Sequence, residues 1–481
     1  MADPAATAPA IDVRSVLRQV ADAAGDWFDA LPDRPVRPAV TPAGMRIPDA
    51  LPDGPSAVED VVADLVRDAA PGLIAMGSPR FFGFVIGGAH PAGLAGDWLT
   101  STWDQNAPLA GPSPAVAAIE SVAGAWVLDL LGLPADASFA FVTGCQMAHV
   151  TALAAARHRV LADAGHDVER DGLAGAPPIR VLAGEERHVT LDRALRFLGL
   201  GTASLVPVAV DEAGAMRAGA LRDALRAGDG RPTIVAAQAG NVNTGAIDPL
   251  PEICAVAREA GVWVHVDGAF GLWAAASPAR RDLVCGADLA DSWTTDAHKW
   301  LNVPYDCGIA VVRDTAAHRA AMAASAAYLV QDPDGPREAL DWTPEFSRRA
   351  RGVAVYATLR ALGRAGVAEL VDRLCACAER FAARLAATDG FEVLAQGLNQ
   401  VLVRAGDDAA TAATLAGAQA DGTCWPSGTT WRGRTCIRLS VCNWQTTAED
   451  VDRSIDALVR AATEVRGGAS HDGFGTRLAD G

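Results

Sequence analysis

Lysine is almost absent from this chain. Among 41 basic residues only Lys299 is lysine, and the others are arginine. Guanidinium stays protonated and cannot act as an amine nucleophile, whereas a desolvated ammonium can lose its proton and condense with an aldehyde. Amine chemistry is thus confined to one position, unless Lys299 is a chance survivor of compositional bias. Uninterrupted apolar runs are also missing. Ala115 to Leu133 is the nearest approach, and Glu120 and Asp129 break it, so it reads as a buried helix rather than a membrane span. No run of Lys and Arg occurs, the net charge is −17 and the pI is near 4.9. That balance argues against nucleic acid or an anionic membrane as a general partner. Nine cysteines are scattered without zinc-ligand spacing, and the closest pair, Cys375 and Cys377, has no second pair nearby. No metal centre is expected. An odd cysteine count and an Ala/Pro/Asp-rich start without a leader pattern fit a reducing cytoplasm.

What is present is ample apolar material, half of 481 residues, with 21% charged. The length allows two to four domains, or one large α/β core with a smaller attachment. Helices are expected over Val13 to Leu31 and Val58 to Ala69, joined by a proline-rich connector. Beyond Pro79, short apolar runs alternate with Ala/Leu/Arg helices: Phe139–Val142, Ile179–Ala183, Ser204–Val208, Thr233–Gln238, Trp263–Asp267 and Gly308–Val312. This is the βα pattern of a mostly parallel sheet covered by helices. Two helices, Val353 to Leu362 and Val367 to Ala387, should follow. Strands are then expected near Phe391–Leu394, Val401–Arg404 and Cys436–Val441, with a last helix from Ala448 to Val465. The expected domains are an N-terminal arm (1–75), a large domain (76–345), a small α/β domain (346–466) and a disordered Gly/Asp-rich tail (467–481).

Four features, in chain order, fit pyridoxal phosphate. Thr143-Gly144-Cys145-Gln146 follows an apolar strand and opens a long helix, where free backbone N–H groups and the helix dipole receive phosphate. His188, at a loop-to-helix junction, could stack on the ring or merely cap the helix. Asp267 ends an apolar strand and could keep a pyridine nitrogen protonated, making the ring an electron sink, or could cap the next helix. Lys299, thirty-two residues later, would bind the aldehyde. The order of the four is less easily accidental than any one of them.

His265-Val266-Asp267-Gly268-Ala269-Phe270, Asp296-Ala297-His298-Lys299-Trp300, and Ser113-Pro114-Ala115 leading to Glu120 resemble the group II pyridoxal-phosphate-dependent decarboxylases. These are the aromatic amino-acid and glutamate decarboxylases of fold type I, and the resemblance runs from about Ile74 to Val465. It implies a homodimer with active sites at the subunit interface and an amino-acid substrate. It also implies Lys299 as the imine lysine, Asp267 on the pyridine nitrogen and His188 on the ring face. Gly144, Cys145, Gln146, Asn241, Ala269 and His298 would lie around the cofactor. Tyr328 stands at the distance from Lys299 where family decarboxylases carry a loop tyrosine that reprotonates the substrate carbon; relatives that form aldehydes commonly have phenylalanine there. A phenol can be a positioned acid, although Tyr328 could simply pack the base of the loop Ala323–Pro336, which is expected to move. Phe84, Val85 and Ile86 would line the side-chain pocket, with Trp103, Gln105 and Asn106 arriving from the partner subunit or only packing the interface. Arg438 could meet a carboxylate or pair with an acidic neighbour.

The chain departs from the family pattern at three places. Cys145 and Gln146 replace small or hydroxyl residues of the phosphate cup. Asp296 stands where several relatives have asparagine, and a carboxylate beside a phosphate needs a compensating donor. In Gly240-Asn241-Val242-Asn243-Thr244-Gly245, Asn and Val replace the usual threonines near the cofactor's 3′ oxygen. The expected activity is decarboxylation of an aromatic or related L-amino acid to its amine. Oxidative decarboxylation to an aldehyde, β-elimination, and a non-catalytic cofactor-binding homologue are the alternatives.

Overall fold

The strands form where β-branched and small apolar residues cluster between turns; those at Ser138–Val142, Trp263–Asp267, Ser292–Asp296 and Gly308–Val312 are buried throughout, whereas those at Leu205–Val208, Phe391–Gly397 and Ser427–Trp431 are partly exposed. The computed structural model describes residues 11–324 and 336–472. Seven strands make the main sheet: β1 (Ser138–Val142), β2 (Arg180–Gly184), β3 (Leu205–Val208), β4 (Thr233–Gln238), β5 (Trp263–Asp267), β6 (Ser292–Asp296) and β7 (Gly308–Val312). Their order is β1-β7-β6-β5-β4-β2-β3. All neighbours run parallel except β7, which is antiparallel to both β1 and β6. A second, four-stranded antiparallel sheet has the order β10-β11-β9-β8, from β8 (Phe391–Gly397), β9 (Gln400–Ala405), β10 (Ser427–Trp431) and β11 (Arg434–Ser440). This is the mixed α/β architecture the alternating pattern called for.

The ends of the elements matter most for function. In a parallel sheet, ligands gather where strands give way to loops at their carboxyl ends. Here β1 runs into Gly144, β2 into the turn before His188, β4 into Gly240, and β5 and β6 end on Asp267 and Asp296. Reversed β7 begins at the same edge, with Gly308 paired to Val142 and Asp296.

The two sheets share one core. A single cluster of buried side chains runs from Val127 and Phe141 through Val266 and Trp293 to Val403 and Ile437. Residues Phe81 and Phe82 lie against the second sheet: Phe82 N–H donates to Trp425 O and Ser440 N–H donates to Phe82 O. The buried pair Glu120–Arg348 is bidentate, at 2.8 and 2.9 Å, and Gly352 N–H also donates to Glu120. It ties the Pro114–Leu130 helix to the start of the long helix Gly352–Ala386.

Three expectations need correcting. β6, Ser-Trp-Thr-Thr-Asp, was not expected as a strand, because Ser, Thr and Asp dilute its apolar signal; it is nonetheless fully buried between β5 and β7. β10, Ser-Gly-Thr-Thr-Trp, was missed for the same reason. The last helix extends to Asp472 rather than stopping at Val465, since once a helix is nucleated each added residue gains one backbone hydrogen bond; residues 473–481 lie outside the described residues. The expected break between the two helices after Val353 is present at Gly363, whose φ of 61° and ψ of 178° interrupt Gly352–Ala386.

Candidate active site

The carboxyl edge of the main sheet encloses a cavity of about 270 Å³ lined by Gly144, Cys145, Gln146, His188, Thr190, Gln238, Gly240, Val242, Asp267, Ala269, Phe270, Asp296, His298, Lys299 and Val85. Residues far apart in the chain meet there because the carboxyl ends of β1, β2, β4, β5 and β6 open at that edge. A larger hollow of about 620 Å³, bordered by Asp129, Arg281, Asp282 and Arg364, lies elsewhere and contains no lysine, histidine or hydroxyl.

Lys299 is half-buried, and its Nζ lies 2.9 Å from Asp296 Oδ2. Burial alone would pull the ammonium down, but the Asp296 carboxylate outweighs it and holds the group above its ordinary value. The compensating donors that Asp296 requires are therefore present: Lys299, and Cys145 N–H at 2.6 Å to Oδ1. Cys145 opens the Cys145–Asp163 helix, so Asp296 rests on one of the free N–H groups of that helix start.

Asp267 is buried. Burial would raise its carboxyl, yet His149, His188 and Lys299 together drive it well below the usual carboxylate range. Oδ1 accepts from Ala269 N–H at 3.1 Å, and Oδ2 lies 3.4 Å from His149 Nε2. His188 satisfies both readings offered for it. Its side chain caps the Val189–Phe197 helix, with Nδ1 2.7 Å from Thr190 Oγ1, and its ring also lines the cavity. Burial, with Lys299 nearby, keeps its imidazole below its ordinary pKa although Asp267 opposes this. His298 is buried, accepts from Cys307 N–H at 3.2 Å and stacks on Tyr305 at 4.4 Å.

Other expected residues are placed differently. Asn241 is buried beside the cavity but absent from its lining: its amide donates to Glu186 O and accepts from Asn243 and Thr244 N–H, so it holds the loop. Val85 reaches the cavity, Ile86 packs with Leu31 and Phe81 instead, and Phe84 is 60% exposed. Trp103, Gln105 and Asn106 are exposed and outside the cavity of their own chain. Arg438 lies behind Val242, donating to its carbonyl at 3.0 Å. It has no acidic partner among the described residues, and burial pulls it down to about 10. Tyr328 and most of its loop lie outside the described residues.

Sequence reasoning passed over His149, Gln238 and Phe270. His149 had a signal, being one helical turn beyond Cys145 on the side facing β5. The Cys145 thiol, a His149 nitrogen and an Asp267 oxygen come within 4.8 Å of one another. Burial, reinforced by Asp296 and Asp267, raises that thiol far above its ordinary value.

These residues fit pyridoxal phosphate. The cavity is lined by one amine, Lys299, two carboxylates, Asp267 and Asp296, and two imidazoles, His188 and His298, with a helix start at one end. Close packing behind the turn keeps that end open: a Cβ on Gly308 would come within 2.3 Å of Gly144 backbone, and one on Gly144 within 3.3 Å of His298. Gln146 Oε1 is buried there without a hydrogen-bond partner among the described residues, a polar atom left for a ligand or a water to satisfy.

Comparison with known proteins agrees. The model of the pyridoxal-dependent decarboxylase conserved domain matches residues 42–404. A tyrosine decarboxylase of Oryza sativa subsp. japonica is 32% identical over 423 residues, covering 82% of this chain and 76% of the relative. A 4-hydroxyphenylacetaldehyde synthase of Rhodiola rosea is 29% identical over 401 residues, 78% of each chain. Among solved structures, Oryza sativa TDC with PLP and tryptamine superposes with a TM-score of 0.88 at 24% identity, covering 96% of this chain and 99% of that one. At that identity the superposition speaks for the fold.

Proposed function

The chain belongs to the pyridoxal-dependent decarboxylases, and from that premise we propose that it removes the α-carboxylate of an aromatic L-amino acid and releases the amine. The observation that carries this reading is the cavity itself, where Lys299 and ionised Asp267 face each other's surroundings between apolar Val85, Val242 and Phe270. Relatives named as tyrosine, tyrosine/DOPA and tryptophan decarboxylases support the aromatic class.

Bound pyridoxal phosphate supplies an aldehyde for amines and a ring that accepts the electrons left when CO2 departs. The protein's own groups do the rest. Lys299 would hold the aldehyde and yield it to the substrate amine. Asp267, ionised at neutral pH, would keep a proton on the ring nitrogen. Neutral His188 would offer the ring a flat face and take no charge from the site. The Gly144–Gln146 turn would anchor the phosphate with the N–H groups that Asp296 leaves free. Orientation of the carboxylate selects which bond breaks. Arg438, behind Val242 and without an acidic partner among the described residues, would meet a substrate carboxylate only if it turned past Val242, and Tyr328 is assigned the final proton transfer to the α-carbon.

A homodimer is part of the proposal. The helices Val13–Ala30 and Val58–Ala69 leave Val13, Leu17, Val61 and Leu65 more than half exposed, a surface that a second copy would cover. Trp103, Gln105 and Asn106 would then complete the neighbour's cavity. No helix among the described residues is long and apolar enough to cross a membrane, and all nine cysteines are free, which supports a reducing, cytoplasmic setting. The test is CO2 release from the common L-amino acids, each carboxyl-labelled, with pyridoxal phosphate present. The aromatic acids should lead; release confined to glutamate or other acidic substrates would overturn the assignment.

A further inference from the structure

Behind Asp267 lies a row of buried polar side chains that the reaction above does not use. Trp263, His265 and Asp267 alternate on one face of β5, as residues two apart in a strand must. Ser292 on β6 is paired with His265, and His149 comes from the Cys145–Asp163 helix packed on that face. The distances link them in order. Trp263 Nε1 lies 2.9 Å from Ser292 Oγ, and Ser292 Oγ 2.9 Å from His265 Nδ1. His265 Nε2 is 3.0 Å from His149 Nδ1, and His149 Nε2 is 3.4 Å from Asp267 Oδ2. His149, His265 and Ser292 are fully buried, Trp263 is 6% exposed and Asp267 9%.

We propose that His149 and His265 are positioning residues, both neutral and protonated on Nε2, that pass a one-way chain of hydrogen bonds from Trp263 through Ser292 into the Asp267 carboxylate. The proposal rests on the reading of Asp267 as the ring-nitrogen partner. The direction follows from proton counting. An indole can only donate, so Ser292 accepts from Trp263 and has one proton left for His265 Nδ1. His265 then carries its proton on Nε2 and donates to His149 Nδ1. His149 in turn carries its proton on Nε2, whose only acceptor within reach is Asp267. At 3.4 Å this last contact falls short of a formed hydrogen bond, which leaves His149 Nε2 buried without a partner among the described residues and Asp267 Oδ2 the acceptor it faces. The reversed order would strand the Ser292 proton and set a bare nitrogen lone pair against the carboxylate.

The opposite charge state is disfavoured at His265, which burial, with His149 beside it, pushes down to about 3. The groups facing Asp267 are then His149 from the helix, His188 and Lys299 across the cavity, the Cys145 thiol, and Ala269 N–H. Aligned neutral donors stabilise a carboxylate without giving it a second cation. Asp267 keeps its full charge for the ring nitrogen, whereas a protonated His149 would share it. Both histidines are thus placed to set how firmly the ring holds its proton.

Two measurements test this. In the full-length apoprotein with 15N-labelled histidine, two-bond nitrogen–proton correlation should assign His149 and His265 as neutral Nε2–H tautomers from about pH 6 to 9, a range set around the ordinary histidine value. In the holoenzyme carrying pyridoxal phosphate labelled at its ring nitrogen, His149→Leu should raise the pH at which that nitrogen deprotonates by about one to two units, the worth of one hydrogen bond to a charge, because a carboxylate relieved of a donor turns more of its charge to the ring. His149→Gln, which keeps an amide donor near the Nε2 position, should restore part of the shift. An Nδ1–H tautomer or a charged ring at either histidine overturns the chain, as does a ring-nitrogen titration left unmoved by His149→Leu. The first measurement needs neither cofactor nor variant. Failure to bind pyridoxal phosphate would sink the functional reading and leave the tautomers to decide the chain, and an unfolded variant would leave that decision intact.

Discussion

Lys299 and Asp296 are three residues apart, and their pairing changes how the site acquires its cofactor. An ammonium held by a carboxylate at 2.9 Å must shed its proton before it can attack an aldehyde. Replacing Asp296 by Asn keeps the shape and the acceptor for Cys145 N–H but removes the charge that raises Lys299. The free-amine fraction near neutral pH then increases. Reconstitution of Asp296→Asn apoprotein with pyridoxal phosphate, followed by the absorbance of the bound cofactor, should be faster by about tenfold for each unit the lysine falls. An unchanged or slower rate would mean that Asp296 does not control the amine. Residues of this kind were legible in the sequence because each stands in a chemically exclusive role: the one lysine, a strand-ending Asp267, a His188 at a helix start. Asn241 and Ile86 were not, since an amide beside a turn and an aliphatic beside a pocket suit structural duty equally well. Asn241 spends both ends of its amide on its own loop, and Ile86 turns toward Leu31.

At the scale of elements, the site depends on how closely β7 backs the turn that follows β1. Gly308 and Gly144 lie backbone against backbone, and a methyl group on Gly308 would approach Gly144 to 2.3 Å. Neither backbone can rotate away as a flexible side chain would. Gly308→Ala should displace the phosphate turn at a cost of about 1–3 kcal/mol, typical of an overpacked interior. Pyridoxal phosphate affinity, measured by titration of the apoprotein, should fall by a factor of about ten to a hundred. Unaltered affinity would place the phosphate elsewhere. The sheet was readable wherever apolar strands alternate with helices, as in β4, β5 and β7, since burial on both faces demands a run of apolar residues. β6 escaped notice because its two threonines and terminal Asp296 serve the site's edge and interrupt that run. Sequence pattern fades where function takes over a strand.

At the scale of the molecule, the proposed homodimer would cover apolar side chains that the N-terminal helices leave exposed. Leu17 and Leu65 are 51% and 66% exposed, so changing both to Asp should leave the protomer fold intact and oppose a second copy. Sedimentation should give twice the chain mass for the wild type and the single chain mass for Leu17→Asp/Leu65→Asp, with activity falling alongside dimer content; a monomeric, active wild type would remove the partner subunit from the site. The reaction type depends on whether oxygen or a protein acid reaches the α-carbon first after CO2 leaves. The most direct measurement follows amine, aldehyde and dissolved oxygen together during turnover of an aromatic L-amino acid under air, with Tyr328→Phe alongside. One amine per CO2 from the wild type without oxygen uptake, and a rising share of aldehyde from the variant, is the expected result. Aldehyde from the wild type with oxygen consumed, or no CO2 at all, would contradict the assignment of this chain as an amine-forming decarboxylase.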